Sequence, residues 1–285
     1  MKKLLVTGVI MMGVYGTFLA FNINKSPFVY KSDIKDVEKI IVNTDISNIL
    51  LTQTDENMSL EYRGEKSFLG TPKIDVTYNQ GEVEIHVKTI PEKWMGILPG
   101  SRKRGELLLN IPHSLLEEVQ LYTQNGNVEV KDVSKLNKLV LSSNVGNIEV
   151  DSFIGKSLKV KAKNGSLNLG LIEGEVNIEN RTGSLKNLTL TDVQGKNNIK
   201  VSNGNVKLVL PSESSLSDVG INILTKNGKI TTGKDYLQKQ DIIKKGPGQS
   251  IVTSSNSNKN ISITVSVGNI ELINQANIKI ETKKY

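Results

Sequence analysis

Apolar residues recur along most of the chain at fixed offsets from a series of glycines: Gly126, Gly146, Gly165, Gly183, Gly204, Gly228 and Gly268. Neighbouring glycines are spaced by roughly 20 residues, and only the last interval is about twice as long, the pattern of a repeat architecture. Five residues before each glycine stand Leu121, Leu141, Val160, Ile178, Ile199, Ile223 and Ile263. Two residues after it stand Val128, Ile148, Leu167, Leu185, Val206, Ile230 and Ile270. A third column, seven before the glycine, holds Val119, Leu139, Leu158, Val176, Ile221 and Ile261, with Asn197 as its exception. The frame extends upstream to Gly81, with Ile74, Val76, Val83 and Ile85, and to Ser47 in a glycine's place, with Ile40, Val42, Ile49 and Leu51.

Within each unit the apolar positions alternate with polar ones, as in Val128-Glu129-Val130. A period of two means half-buried strands. Between the strands lie turns such as Gln124-Asn125-Gly126 and Lys163-Asn164-Gly165, and Asn-Gly suits backbone at positive φ. The chain is therefore expected to be all-β. The units are either β-hairpins stacked into a sandwich or single coils of a β-solenoid. The solenoid is preferred, because the residue after the glycine is Asn or Ser at Asn127, Asn147, Ser166, Ser184, Asn205 and Asn269. Coils of about 20 residues stack such a column into a ladder, which rewards repeated identity. The irregular lengths at 47–126 and 228–268 imply loops leaving the stack.

The first residues follow another rule. Lys2 and Lys3 precede an uncharged apolar run from Leu4 to Phe21. As a helix rising ~1.5 Å per residue it spans roughly 27 Å, about one hydrocarbon core. The alternative is a cleaved signal peptide. Ala20 has Phe18 two residues before it, a poor cleavage site, so residues 1–21 are expected to be an uncleaved transmembrane signal anchor. The positive-inside rule puts the N-terminus in the cytoplasm and residue 25 onward outside. Residues 22–38, with Pro27 and mixed charge, read as a stalk, and 39–285 as the repeat domain.

The segments Leu121-Tyr-Thr-Gln-Asn-Gly-Asn-Val-Glu-Val130 and Ile199-Lys-Val-Ser-Asn-Gly-Asn-Val-Lys-Leu208, the second running on to Val209-Leu210-Pro211, resemble the bacterial adhesin-like domain of unknown function. With its N-terminal anchor the chain is similar to the LiaG-type members associated with cell-envelope stress operons of Gram-positive bacteria. The resemblance covers roughly residues 39–275. It implies an extracytoplasmic binding or scaffold protein of repeat-type β fold, tied to envelope stress or adhesion, and brings no catalytic motif. No Leu-Pro-x-Thr-Gly wall-anchoring signal occurs.

Composition narrows the chemistry. There is no cysteine, which removes disulfides, thiolate metal sites and a lipid-modified N-terminal cysteine. Net charge is +7, favouring anionic partners such as acidic lipid or envelope polymers, yet no dense basic block with interleaved aromatics points to nucleic acid. His86 and His113 are the only histidines and form no metal-binding or triad pattern. Glu129 and Glu149 share the column three after the glycine and are the best candidates for a polysaccharide-acting acid/base pair, the alternative function. Asn168, Lys186, Lys207 and Thr231 fill that column elsewhere, which favours a mixed solvated face. An enzyme, a cofactor and a small-molecule substrate are therefore not expected.

Residues 90–105 break the alternation. Trp94 stands beside Met95, Ile97 and Leu98, and Arg102, Lys103 and Arg104 follow. The segment is either a loop folded over an open end of the stack or a binding loop for the cytoplasmic membrane or another envelope protein. In the second case Trp94 is the interfacial anchor and Arg102, Lys103 and Arg104 are the charges.

Overall fold

The computed structural model describes residues 26–66, 70–89, 104–113, 116–233, 242–253, 255 and 257–275. The apolar run at 4–21 lies outside them, and among the described residues no helix is long and apolar enough to cross a membrane. Their secondary structure is almost wholly β, in one sheet of 21 strands. In chain order the first seven are β1 (Ser26–Asp33), β2 (Lys39–Thr44), β3 (Ser47–Thr54), β4 (Ser59–Lys66), β5 (Lys73–Asn79), β6 (Glu82–Lys88) and β7 (Gly105–Pro112). The middle of the chain forms β8 (Glu118–Asn125), β9 (Val128–Val130), β10 (Val133–Val145), β11 (Ile148–Asn164), β12 (Leu167–Thr182), β13 (Leu185–Leu190), β14 (Lys196–Asn203) and β15 (Val206–Leu210). The last six are β16 (Gly220–Asn227), β17 (Ile230–Thr232), β18 (Ile243–Lys245), β19 (Gly248–Thr253), β20 (Asn260–Val267) and β21 (Ile270–Asn274).

Each repeat is one coil of a β-solenoid. A leading arm runs up to the glycine, the chain turns a corner there, and a trailing arm runs away from it. Strands pair in parallel with the same arm of the next coil, so Leu121, Leu141, Val160 and Ile178 stand in register, as do Val128, Ile148 and Leu167. β10, β11 and β12 are long because they bend from one coil into the next, and residues 133–136, 153–155 and 171–173 add a short third side. The aliphatic columns read from the sequence are buried almost completely and form one continuous core, except that Ile74 and Val76 on β5 are only half-buried against it. Asn197, the polar exception, is also buried. Its amide satisfies three backbone groups: Val176 N–H donates to it, and it donates to the carbonyls of Gln194 and Asn260.

The corner explains the glycines. A Cβ on Gly146 would lie 1.9 Å from the carbonyl oxygen of Gly126, and one on Gly165 would lie 1.9 Å from that of Gly146. Coils about 4.8 Å apart leave no room for a side chain there. Gly183 adds a positive φ of 129°, but close approach, more than backbone conformation, selects glycine. The Asn column forms the expected ladder. Asn127 N–H donates to Asn48 Oδ1, Asn147 N–H to Asn127 Oδ1 and Ser166 N–H to Asn147 Oδ1, each at 2.9 Å. Inside the corner, Thr123, Ser143 and Thr225 donate hydroxyls to the carbonyls of Ser47, Gly126 and Gly268.

Three expectations need correction. The coils do not stack in chain order. Along the leading arms the order is β5, β6, β2, β8, β10, β11, β12, β14, β20, β16, β19, β18. The coil of β20 and β21 is inserted between that of β14 and β15 and that of β16 and β17, and β2 with β3 is inserted beneath β6 with β7. The stretches 47–126 and 228–268 therefore build the ends of the stack instead of only looping out. Second, Gly81 is not a coil corner. Gln80 (φ 38°) and Gly81 (φ 81°) make the tight turn of an antiparallel β5–β6 hairpin, and the corner residue of that coil is Gly105, paired with Ser47. Two adjacent positive φ values suit a hairpin turn. Third, the expected stalk at 22–38 contains β1, which pairs with β4 along its whole length. Antiparallel strands thus cover both ends: β5, β4 and β1 at one, β19 and β18 at the other.

Candidate functional site

The loop singled out in the sequence is a corner insertion. It leaves the outermost coil after β6 and returns at β7, where the other coils need only a turn. Trp94, Arg102 and Lys103 lie outside the described residues; Arg104 is described and exposed. Both ends of the insertion are pinned. The buried Asp45 carboxylate accepts the Thr89 N–H at 2.8 Å, the Thr89 hydroxyl at 2.7 Å and the Ile46 N–H at 2.6 Å. At the other end Gly105 pairs with Ser47. Nothing in the repeat pattern marks Asp45, since its role depends on which strand lies beside it.

The edge next to this corner is built by β7, β4 and β1. β4 runs antiparallel to β7, with Arg63 opposite Glu106, and β1 runs antiparallel to β4, with Ser26 opposite Lys66. Strands β1 and β7 therefore start at the same end, one strand apart. Tyr62 locks this edge. Its ring lies where side chains on Gly64 and Gly105 would be, since a Cβ there would approach its hydroxyl to 2.6 and 2.2 Å. Phe28 packs against it at 6.1 Å between ring centroids, with Lys66 Nζ 5.4 Å from the Phe28 ring. Burial pushes the Tyr62 phenol up to about 12.

Asn48, Arg63, Gly64, Glu65, Arg104 and Glu106 line a shallow depression of about 540 Å³ at this edge. Arg63 and Lys31 both reach Glu61, at 2.7 and 3.3 Å, and Arg63 first and Lys31 second hold the Glu61 carboxyl below its ordinary range. The depression is open and of mixed charge, with exposed cations that can meet a surface and no convergent acid/base pair.

Glu129 and Glu149 are register neighbours, as expected from their column. Both are engaged: Glu149 accepts the Asn168 amide at 3.0 Å, and Glu129 pairs with Lys131, which also reaches Asp151 at 3.2 Å. Glu129 first and Asp151 second push the Lys131 ammonium up to about 12. His86 stands on the outward side of β6, 2.8 Å from Glu84. Among the described residues no group of three or more His, Asp or Glu side chains is placed to hold a metal ion.

Residues 37–273 match the family described as Toastrack DUF4097. Among curated proteins none matches the chain. Several solved structures are similar in shape. A proposed cell adhesion protein from Clostridium sporogenes is 15% identical with a TM-score of 0.44, covering 88% of this chain and 100% of its own. A proposed adhesin from Bacteroides fragilis is 14% identical with a TM-score of 0.47, covering 87% and 97%. A proposed lipid binding protein from Parabacteroides distasonis is 13% identical with a TM-score of 0.39, covering 88% and 97%.

Proposed function

The chain belongs to the Toastrack DUF4097 family, and we propose that it is a membrane-anchored binding scaffold of the bacterial cell envelope, with its solenoid outside the cytoplasm and the β1–β4–β7 corner turned toward the membrane. The observation that carries this reading is the shared start of β1 and β7. Residues 22–25 alone separate the apolar run at 4–21 from Ser26, a reach of at most about 18 Å from Phe21 to Ser26. Ser26 lies two strand spacings, about 10 Å, from the strand that begins beside Arg104. On this reading an anchor at 4–21 and the insertion with Trp94, Arg102, Lys103 and Arg104 would join the body at neighbouring strand starts. Attachment then raises the effective concentration of a loop whose own affinity is weak. The LiaG-type resemblance supplies envelope stress or adhesion as the setting.

Two measurements test this. Protease added to protoplasts should digest the solenoid while residues 1–21 stay with the membrane; full protection, or a mature N-terminus near residue 21, overturns the anchored topology. The soluble part, residues 25–285, should co-sediment weakly with anionic vesicles at low salt. Trp94→Ala combined with Arg102→Ser, Lys103→Ser and Arg104→Ser should reduce partitioning at least tenfold, since each cation near an anionic surface contributes about 1 kcal/mol. Equal binding of parent and variant removes the loop from the membrane contact.

A further inference from the structure

The two halves of the solenoid handle surface charge differently. In the coils near β2, β6 and β8, four lysines are neutralised in place: Lys39 by Glu82 at 2.5 Å, Lys138 by Glu118 at 2.7 Å, Lys73 by Asp75 at 2.8 Å and Lys131 by Glu129 and Asp151. From β11 onward the pattern changes. Lys159, Lys163, Arg181, Lys186, Lys200, Lys207 and Lys229 are exposed, and among the described residues none has a carboxylate within ion-pair distance. Lys161 and Lys259 each make one long pair, to Glu179 at 3.7 Å and to Asp218 at 3.8 Å.

All of these cations but Lys159 and Lys259 border one edge of the molecule, the glycine corner. Lys161, Lys163, Arg181 and Lys200, with the carboxylate Glu179, line a shallow depression of about 250 Å³ on the leading-arm side. Lys186, Lys207 and Lys229, with the single carboxylate Glu271, line another of about 520 Å³ on the trailing-arm side. Between the two rows runs an uncharged polar strip: Asn164, Thr182 and Asn203 before the glycines, Ser166, Ser184 and Asn205 after them. Among the described residues neither depression is lined by an aromatic side chain. The sequence held a hint, since Lys159-Val-Lys-Ala-Lys163 puts three lysines on one face of a strand. Arg181, Lys200 and Lys207 join them only through coil stacking.

We propose that this corner binds a linear polyanion of phosphodiester-linked polyol type, laid along the stack axis between the two cation rows. The cations recur every one or two coils, about 5–10 Å along the axis. That spacing suits a polymer with regularly repeated charges, while a small anion needs several donors converging on one point. The strip of Asn, Ser and Thr supplies donors and acceptors for the polymer's hydroxyls. Among the described residues the two depressions offer nucleic acid bases no aromatic platform and offer a bilayer no tryptophan or tyrosine. The inference rests on the scaffold reading above, which sets this face among envelope polymers. Polymer binding itself requires no anchor, so the two can fail separately.

The test uses the full chain in nanodiscs of zwitterionic lipid and fluorescently labelled poly(glycerol phosphate), with neutral dextran and anionic vesicles as competitors. The parent should bind the polymer in a salt-dependent way and be displaced by unlabelled polymer, not by dextran or vesicles. Lys163→Ser, Arg181→Ser, Lys200→Ser and Lys207→Ser together should weaken binding about 30-fold or more at low salt and flatten the log–log salt slope by about 3. The arginine-for-lysine variant at 163, 200 and 207 should bind like the parent, which separates lost charge from lost folding. Lys39→Ser, Lys73→Ser and Lys138→Ser, cations already paired, should change affinity less than about twofold. Undiminished binding by the four-site variant, an equal loss in the paired-cation variant, no binding by the parent, or displacement by vesicles but not by polymer would overturn the proposal.

Discussion

A methyl group on Gly165 would meet the Gly146 carbonyl at 1.9 Å, backbone against backbone, with no flexible side chain to yield. Gly165→Ala should therefore cost at least about 3 kcal/mol, at the upper end of overpacking penalties. Thermal denaturation should register this as a fall of roughly 10 °C for a domain of this size. Gly81 sits in a hairpin turn with φ 81° and open space around it, the nearest atom to a Cβ being a Glu38 carboxylate oxygen at 3.9 Å. Asn tolerates such a φ, so Gly81→Asn should cost less than about 1 kcal/mol. The two glycines look alike in the sequence; their surroundings in the fold differ, and the melting temperatures of the variants test that difference. Tyr62 makes a second residue-scale prediction. Burial raises its phenol to about 12, above the ordinary value of about 10. The folded state thus holds this proton longer than the unfolded state. The stabilising term is fully present below about pH 10 and is lost as pH rises through about 12. Ultraviolet titration should show one tyrosine ionising late, together with unfolding, and Tyr62→Phe should abolish that step.

At the scale of the strand, side-chain alternation decides what is tolerated. Ile178 is fully buried in β12, while Glu179 is exposed and holds only a long contact to Lys161. Ile178→Asp places a carboxylate in an aliphatic column and should cost several kcal/mol unless the group takes a proton. Glu179→Lys breaks one exposed pair and should cost no more than about 1 kcal/mol. Chemical denaturation of the two variants compares them directly, and equal midpoints would contradict the stacked-strand core. Asn197 shows how an element admits a polar group in the same core: all three of its hydrogen bonds go to backbone, and those to Val176 and Asn260 tie β12 and β20 to β14.

For the whole molecule the distinctive feature is the permuted order of coils. Lys200 pairs with Thr264, and Thr264 with Leu224, so β20 separates β14 from β16. Lys200→Cys with Thr264→Cys places two thiols on strands about 4.8 Å apart, within disulfide reach. Lys200→Cys with Leu224→Cys leaves about 10 Å between the backbones, beyond it. The chain has no native cysteine to interfere. Mild oxidation should crosslink the first pair and not the second; sequential stacking would reverse the result. The permutation also makes each end a closure between distant segments, so the end coils should be the last to form.

The sequence by itself determined the repeat unit, the strand alternation, the buried columns and the ladder after the glycine, because each is written in local period and repeated at fixed offsets. It also marked the 90–105 segment as an interruption of that period. Which coil lies on which was not legible. Every coil offers nearly the same aliphatic edge, so local pattern cannot distinguish the coil of β16 from that of β20 as neighbour to β14. That choice is made by chain-length closure, by the antiparallel strands that cover each end, and by singular contacts such as Asn197 with Asn260 and Asp45 with Thr89. The surfaces follow the same division. Arg104 was visible as a charge, but its place beside the start of β1 depended on β4 lying between them. The cations of β11, β12, β14 and β15 are scattered along the chain and become one basic edge only when parallel stacking brings residues about 20 positions apart to within about 5 Å.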